Sequence, residues 1–304
     1  MALNAKTKAW LANECPRSME KKTLLITGGN SGIGYKTAEI WLYQGGDVIL
    51  ACRNKEKAEE AKKVLKKKYP QRSVRTLQLD LASFSSIDRF ALELQNQKIE
   101  IDCFVNNAGV FRQPHKTTED GFELVMGTNY LGTYRLCEKV LPYLETLGHP
   151  VTVINTVSII HKLANLKYSD FYCKKQYGNF KIYAKSKLAL AVYTQALVRR
   201  YQDSSIRICM NHPGMSLTPI GLKAYGKTVY KIGNAFRFLL NSAEKSALST
   251  AYIMNHDIKS GSVIGPRGFI NGWGYPAQNR ICQKTLKGAD ELISFTEKEM
   301  AGRK

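Results

Sequence analysis

No apolar run in this sequence reaches the roughly 18 residues needed to cross a bilayer. The stretch from Met1 to Cys15 has no apolar signal core; Asn, Lys, Glu and Trp interrupt it, so secretion is not expected. Acidic residues are scarce: 25 Asp and Glu stand against 45 Lys and Arg, a formal net charge of +20. Such a surface attracts anions, including nucleic acid and acidic lipid. Zinc-finger, RNP-like and heptad patterns are all missing, so nothing beside the charge points to nucleic acid. The densest basic run, Lys62, Lys63, Lys66, Lys67 and Lys68, falls on a predicted helix and reads as a solvated face. The seven cysteines are odd in number and scattered, and they never form Cys-x-x-Cys. That pattern excludes a disulfide frame or zinc knuckle and predicts reduced thiols in a cytoplasmic protein. Cys52 and Cys103 lie in predicted strands, where packing is their expected role.

What is present is enough for a core. The 304 residues are 44% hydrophobic and 23% charged, which suits one large α/β domain and excludes disorder. Residues 1–20 read as a loose leader, 21–279 as one domain without linker or repeat, and 280–304 as a tail of unassigned role. Strands are predicted at Thr23–Thr27, Asp47–Ala51, Val74–Leu79, Ile101–Asn106, Val151–Val157 and Ile206–Asn211, with a short one at Ser262–Gly265. Helices alternate with them: from about Gly32, after Asn54 to Tyr69, from Ser83, through a long stretch to about Leu147, over Tyr183–Tyr201, and over Ala243–Met254. This rhythm of continuous apolar strands and helices predicts a doubly wound parallel sheet of Rossmann type, in three α/β/α layers.

Thr27-Gly28-Gly29-Asn30-Ser31-Gly32-Ile33-Gly34 joins the first strand to the first helix of that rhythm. Glycines allow a tight turn and let a pyrophosphate approach the backbone, and the helix start offers unpaired N–H groups. A glycine-rich turn alone is weak evidence; its strand–turn–helix setting strengthens it. Downstream, the second strand runs into Leu50-Ala51-Cys52-Arg53-Asn54, with no Asp or Glu between Val48 and Lys55. An acid there would hydrogen-bond the ribose hydroxyls of NAD, whereas Arg53 suits a 2′-phosphate. NADP(H) is therefore expected rather than NAD(H), against the plainer reading of Arg53 as a surface loop residue.

The spacing G-x-x-x-G-x-G resembles the short-chain dehydrogenase/reductase family, and further motifs extend the resemblance in order over roughly residues 20–265. They are Asn106-Asn107-Ala108-Gly109 after the fourth strand, Asn129 within Thr128-Asn129-Tyr130-Leu131-Gly132, and Ser158 after the fifth strand. Then follow Tyr183-Ala184-Lys185-Ser186-Lys187, and Pro213-Gly214 after the sixth strand with Thr218 beyond. The resemblance implies a hydride-transferring oxidoreductase that interconverts an alcohol and a carbonyl. It places Gly28, Asn30, Ser31, Gly32, Ile33, Gly34, Arg53, Asp80, Leu81, Asn107, Ala108, Gly109, Tyr183, Lys187, Pro213, Gly214 and Thr218 around the cofactor. Asp80 has a plainer alternative, capping the helix that starts nearby.

Tyr183 and Lys187 are four apart on a predicted helix, so they share a face. A free tyrosine has a pKa of about 10 and needs a neighbouring positive charge to act as a base at neutral pH. Tyr183 is the expected acid/base, Lys187 the group that orients the ribose and lowers the tyrosine pKa, Ser158 the hydrogen-bond partner of the substrate oxygen, and Asn129 the anchor of the lysine's water chain. Tyr and Lys at this spacing usually mean packing plus a solvated charge; only the whole set makes the catalytic reading. His161 and His212, at strand ends, read as local structure or substrate contacts.

The gap from Ser158 to Tyr183 resembles the retinol dehydrogenase-like branch. The insert His161–Ile182 is expected to shape a pocket wall. Residues 216–241 mix apolar residues with lysines, which suits a cover over an apolar carbonyl or alcohol substrate, a peripheral membrane contact, or an ordinary packed helix. The resemblance also implies pairing into a homodimer or homotetramer through the segments 110–145 and 183–201. The alternatives from other classes are a catalytically idle sensor of the NADP redox state and a basic protein bound to membrane or nucleic acid.

Overall fold

Aliphatic and β-branched residues fill the central segments that become strands, and these are buried along most of their length. The computed structural model describes residues 3–111, 115–174, 177–214, 241–268 and 271–302. The strands are β1 (Thr23–Thr27), β2 (Asp47–Cys52), β3 (Val74–Gln78), β4 (Cys103–Asn106), β5 (Val151–Thr156), β6 (Ile206–Asn211), β7 (Val263–Pro266) and β8 (Pro276–Asn279). They form one sheet in the order β3-β2-β1-β4-β5-β6-β7-β8. β1 to β7 are parallel and β8 runs antiparallel to β7.

The described helices are α1 (Ala5–Glu14), α2 (Gly32–Tyr43), α3 (Lys55–Lys68), α4 (Phe84–Asn96), α5 (Gly132–Glu145), α6 (Asn179–Arg200), α7 (Ala243–Asn255) and α8 (Ala289–Ala301). Alternate strand residues face opposite sides of the sheet, so each strand feeds two cores. Leu25, Ile49, Phe104, Val153 and Ile208 pack with α4, α5 and α6. Leu24, Ile26, Val48, Leu50, Val105 and Ile154 pack against Trp41 of α2, Leu65 of α3 and Ile253 of α7. The doubly wound parallel sheet is therefore present, and Cys52 and Cys103 are buried in it as free thiols.

The order of strands reverses between β1 and β4. The register Asn106↔Asn155 and Thr156↔Asn211 carries the ends of β4, β5 and β6 to one edge, beside the end of β1. At such a reversal the loops of a doubly wound sheet generally leave a crevice where ligands bind.

Several elements differ from the sequence reading. Residues 5–14 are not loose: Asn4 caps α1 by accepting the Thr7 N–H, and Leu11 is buried against α7 residues Ala247 and Leu248. β8 was not expected, because Pro-Ala-Gln-Asn has no apolar alternation; its pairing with β7 makes it a strand. α6 begins at Asn179, four residues before Tyr183. The tail forms α8, with Leu292 and Thr296 fully buried. Lys63, Lys66 and Lys67 are exposed on α3, as expected of a solvated face, but Lys62 and Lys68 are half-buried and Lys68 pairs with the buried Glu39 of α2. Thr218 and residues 216–240 lie outside the described residues. Among the described residues, no helix is long and apolar enough to cross a membrane, and no group of His, Cys, Asp or Glu is arranged to hold a metal.

Candidate active site

The glycine turn leaves β1 through Gly28, whose φ of +68° is left-handed. A Cβ at Gly34 would lie 2.4 Å from the Gly28 carbonyl oxygen and 2.6 Å from the Asn107 amide, so only glycine lets α2 start this close to the turn. Ser31 is the N-cap of α2 but makes no side-chain cap bond, unlike the caps of α1, α3, α4 and α7. The first turn of α2, Gly32-Ile33-Gly34, thus keeps N–H groups that the helix itself does not satisfy. The backbone N–H groups of Asn30 and Gly29 instead face the Cys52 thiol, whose pKa burial pushes up to about 11.

Arg53 follows β2 at this edge and is exposed. Asp80 follows β3; its carboxylate accepts the Ala82 N–H at 2.9 Å, while Ser83 caps α4. The plainer reading of Asp80 as the helix cap is therefore replaced by a local turn. Leu81 is buried, and its carbonyl oxygen would be 2.1 Å from a Cβ at Gly132, where α5 begins.

Asn107 and Ala108 bind back onto β1. The Thr27 hydroxyl accepts both backbone N–H groups, at 3.0 and 2.9 Å, and the Asn107 amide donates to the Thr27 carbonyl at 2.9 Å. Gly109 comes next. A Cβ there would stand 3.1 Å from Asn129 Oδ1 and 3.5 Å from Lys187 Nζ, so the bare backbone keeps this niche open.

Asn129 sits in a π-helical turn, Gly127–Leu131, inserted between the short helix Leu124–Met126 and α5. π-turns are rare and often mark functional sites. Oδ1 accepts the Val110 N–H at 2.7 Å; Nδ2 donates to the Val110 carbonyl at 2.9 Å and to the Ser186 hydroxyl at 3.1 Å. Ser186 in turn donates to the Tyr183 carbonyl at 2.8 Å. Lys187, one turn after Tyr183 on α6, is buried and donates to the Thr156 carbonyl at the end of β5 at 2.7 Å. Burial alone pushes its ammonium down to about 8. The Tyr183 ring packs against Phe111, with centroids 4.7 Å apart.

Ser158 is half-buried two residues past β5, where its carbonyl accepts from His161 at the start of a 3₁₀ turn that packs on α6. His161 is buried, and burial holds its pKa below the usual imidazole value. Pro213 and Gly214 leave β6 at the same edge; Ser246 of α7 donates to the Pro213 carbonyl at 2.9 Å. Two buried hydroxyls, those of Thr128 and Thr156, have no partner among the described residues. Four groups here escaped the sequence reading: Val110, Phe111, Thr27 and Ser186. Ser186 and Thr27 carried a signal, their places inside the Tyr183–Lys187 motif and at the head of the glycine turn; Val110 and Phe111 carried none.

The model of the family described as short chain dehydrogenase matches residues 22–226, and the chain belongs to that family. Retinol dehydrogenase 13 of Homo sapiens is 36% identical over 246 residues, covering 79% of this chain and 74% of that protein. Short-chain dehydrogenase TIC 32 B, chloroplastic, of Brassica napus is 30% identical over 82% of this chain and 81% of its own length. The solved structure of an uncharacterized protein from Mycobacterium paratuberculosis superposes with a TM-score of 0.75 at 28% identity, over 94% of this chain and 95% of that one. The chain is thus a retinol dehydrogenase-like member of an oxidoreductase family that acts on CH–OH groups and uses NAD(P).

Proposed function

We propose that this protein uses NADP(H) to interconvert an alcohol and a carbonyl on an apolar small molecule, with Tyr183 as general acid/base. The carrying observation is the placement of Lys187: its buried Nζ is held by the Thr156 carbonyl beside Gly109 and Asn129, one helical turn from Tyr183. The open first turn of α2, the glycine-lined approach at Gly28 and Gly34, and the bare niche at Gly109 fit a dinucleotide along the crevice. Arg53, just past the end of β2 in a stretch with no Asp or Glu between Val48 and Lys55, supports the 2′-phosphate form.

When bound, the nicotinamide supplies or accepts the hydride. In reduction, the Tyr183 phenol gives its proton to the carbonyl oxygen while Ser158 donates a hydrogen bond to the same oxygen. With a pKa of about 8, Lys187 is mostly an ammonium at neutral pH, and its charge favours the phenolate that Tyr183 leaves behind. Asn129 fixes the backbone at Val110 and, through Ser186, the turn of α6 that carries Tyr183. Retinol dehydrogenase 13 is named for an apolar alcohol, which supports an apolar substrate here. NADPH in a reducing cytoplasm would drive carbonyl reduction.

The test is to titrate NADPH and NADH separately into the purified protein, following nicotinamide fluorescence, then to screen apolar aldehydes and ketones. Tighter NADPH binding and turnover that Tyr183→Phe lowers at least a hundredfold are expected. Binding of neither cofactor would sink the reading, and NADPH binding without any turnover would favour the sensor.

A further inference from the structure

His212 stands between β6 and Pro213-Gly214 and is fully buried. Its Nδ1 faces the backbone N–H of Gly214 at 3.3 Å, a donor, so Nδ1 must be an acceptor. Its Nε2 is 2.6 Å from Oδ1 of Asn279, the last residue of β8. The Asn279 amide nitrogen donates to the Ala277 carbonyl at 3.2 Å, which turns Oδ1 toward the ring. Both partners select one species, the neutral ring protonated at Nε2. The ring also needs Gly265 of β7, where a Cβ would lie 2.2 Å from Nε2. Two strands beyond β6 therefore converge on one imidazole, and that imidazole holds the turn at the crevice.

We infer that His212 and Asn279 are positioning residues: Asn279 fixes the His212 tautomer, and His212 fixes the Gly214 N–H and with it the Pro213-Gly214 wall of the cofactor crevice. This inference rests on the proposed placement of NADP(H) at that edge. The pair sets cofactor affinity without touching the cofactor. Asn279, rather than an acid, is what keeps this affinity insensitive to pH. An imidazolium would present an N–H at Nδ1 to the Gly214 N–H, two donors face to face.

The surroundings oppose that charged form. Burial first, and then Lys162 and His161 from the 3₁₀ turn after Ser158, raise the cost of protonation, and together these push His212 down to about 4. Arg280 and Cys282, just beyond β8, line the same small cavity with His161 and Lys162, and Lys245 of α7 lines the neighbouring one. Among the described residues, no carboxylate lines either cavity. A carboxylate placed at position 279 would set an anion against the ring and raise the imidazole pKa toward the physiological range.

The experiment compares NADPH dissociation constants of wild type, Asn279→Asp, His212→Leu and His212→Asn from pH 5.5 to 8.5, with melting temperature recorded for each. Ratios to wild type remove the titration of the cofactor's own phosphate. The Asn279→Asp ratio should be within threefold of one at pH 8.5 and rise at least fivefold by pH 6. His212→Leu should weaken binding at least tenfold at every pH, and His212→Asn, whose side-chain oxygen can accept from the Gly214 N–H, should recover most of that loss. A pH-independent Asn279→Asp ratio, or His212→Leu binding NADPH as wild type does, would overturn the inference while leaving the enzymatic reading intact. Wild type that binds neither NADPH nor NADH would overturn both, and that failure is visible before any variant is made.

Discussion

The side chain of Asn129 pairs with both backbone groups of Val110: Oδ1 lies 2.7 Å from the nitrogen and Nδ2 2.9 Å from the carbonyl oxygen. One amide thus ties the loop after β4 to the π-turn before α5, and its remaining donor reaches Ser186 on α6. The strand edge that holds Gly109 and the helix that holds Tyr183 and Lys187 share this single polar knot.

Asn129→Ala should leave the Val110 N–H and C=O unpaired in a half-buried setting, at a cost of about 1–3 kcal/mol in stability. Turnover should fall further than stability, by at least a hundredfold, because both Gly109 and the Tyr183 turn lose their common anchor. Urea denaturation alongside kinetics of the surviving folded protein checks this; full turnover in a destabilised protein would show that the knot only holds the fold.

Lys187 is a buried ammonium that folding disfavours. Its pKa falls from the ordinary 10.5 to about 8, so the folded state releases protons more readily than the unfolded one. The penalty is present in full below pH 8 and disappears as pH rises toward 10.5. Lys187→Met should therefore raise stability at pH 7 by about 1–3 kcal/mol, the lost bond to Thr156 offsetting part of the gain, while abolishing turnover. The gain should shrink above pH 9. Thermal melts at pH 7 and pH 10 decide it: a variant less stable at pH 7 contradicts the burial argument.

Arg53 is exposed, so its substitution should leave the melting temperature unchanged. Arg53→Ala should weaken NADPH binding roughly tenfold to a hundredfold, the worth of a charge-assisted contact to phosphate, and leave NADH binding nearly as it was. Equal losses for the two cofactors would remove Arg53 as the selector.

Local motifs explain how much of this was legible in the sequence. The glycine turn, the Asn107–Gly109 segment and the Tyr183–Lys187 pair announce themselves because each packs its chemistry into a few consecutive residues of fixed spacing. Strands β1, β2, β4, β5 and β6 were legible for a similar reason, since burial on two faces demands nearly unbroken apolar runs; β3 is an edge strand with exposed Arg75 and Gln78, and was legible from its alternation. β8 was not: Pro276–Asn279 is a strand only because β7 offers an edge 10 residues before it in the chain. α1 was not, since its stability comes from Leu11 and Asn4 meeting α7, more than 200 residues away. His212 read as local structure or a substrate contact, and its contact with Gly214 is local. Its second partner, Asn279, is 67 residues away, and no spacing rule connects them.

The tail carries the last prediction. The family resemblance implies pairing through the segments 110–145 and 183–201, yet in this chain α8 packs across part of that face. The Tyr130 hydroxyl, in the π-turn, meets the Thr296 hydroxyl at 2.7 Å, Tyr172 donates to Glu299 at 2.8 Å, and Phe295 packs against Phe171 and Tyr168. Removing residues 288–304 would expose the buried contacts of Leu292 and Thr296 together with the aromatic surface beneath them. At about 25 cal/mol per Å² of apolar surface, a helix of this size should be worth several kcal/mol. The truncated protein should melt at least 5 °C lower and self-associate at micromolar concentration, and the intact chain should not pair through this face. Light scattering on both forms is the check. A truncated chain that stays monomeric with an unchanged melting temperature would mean that α8 is a passive appendage and that the face beneath it is free for a partner subunit.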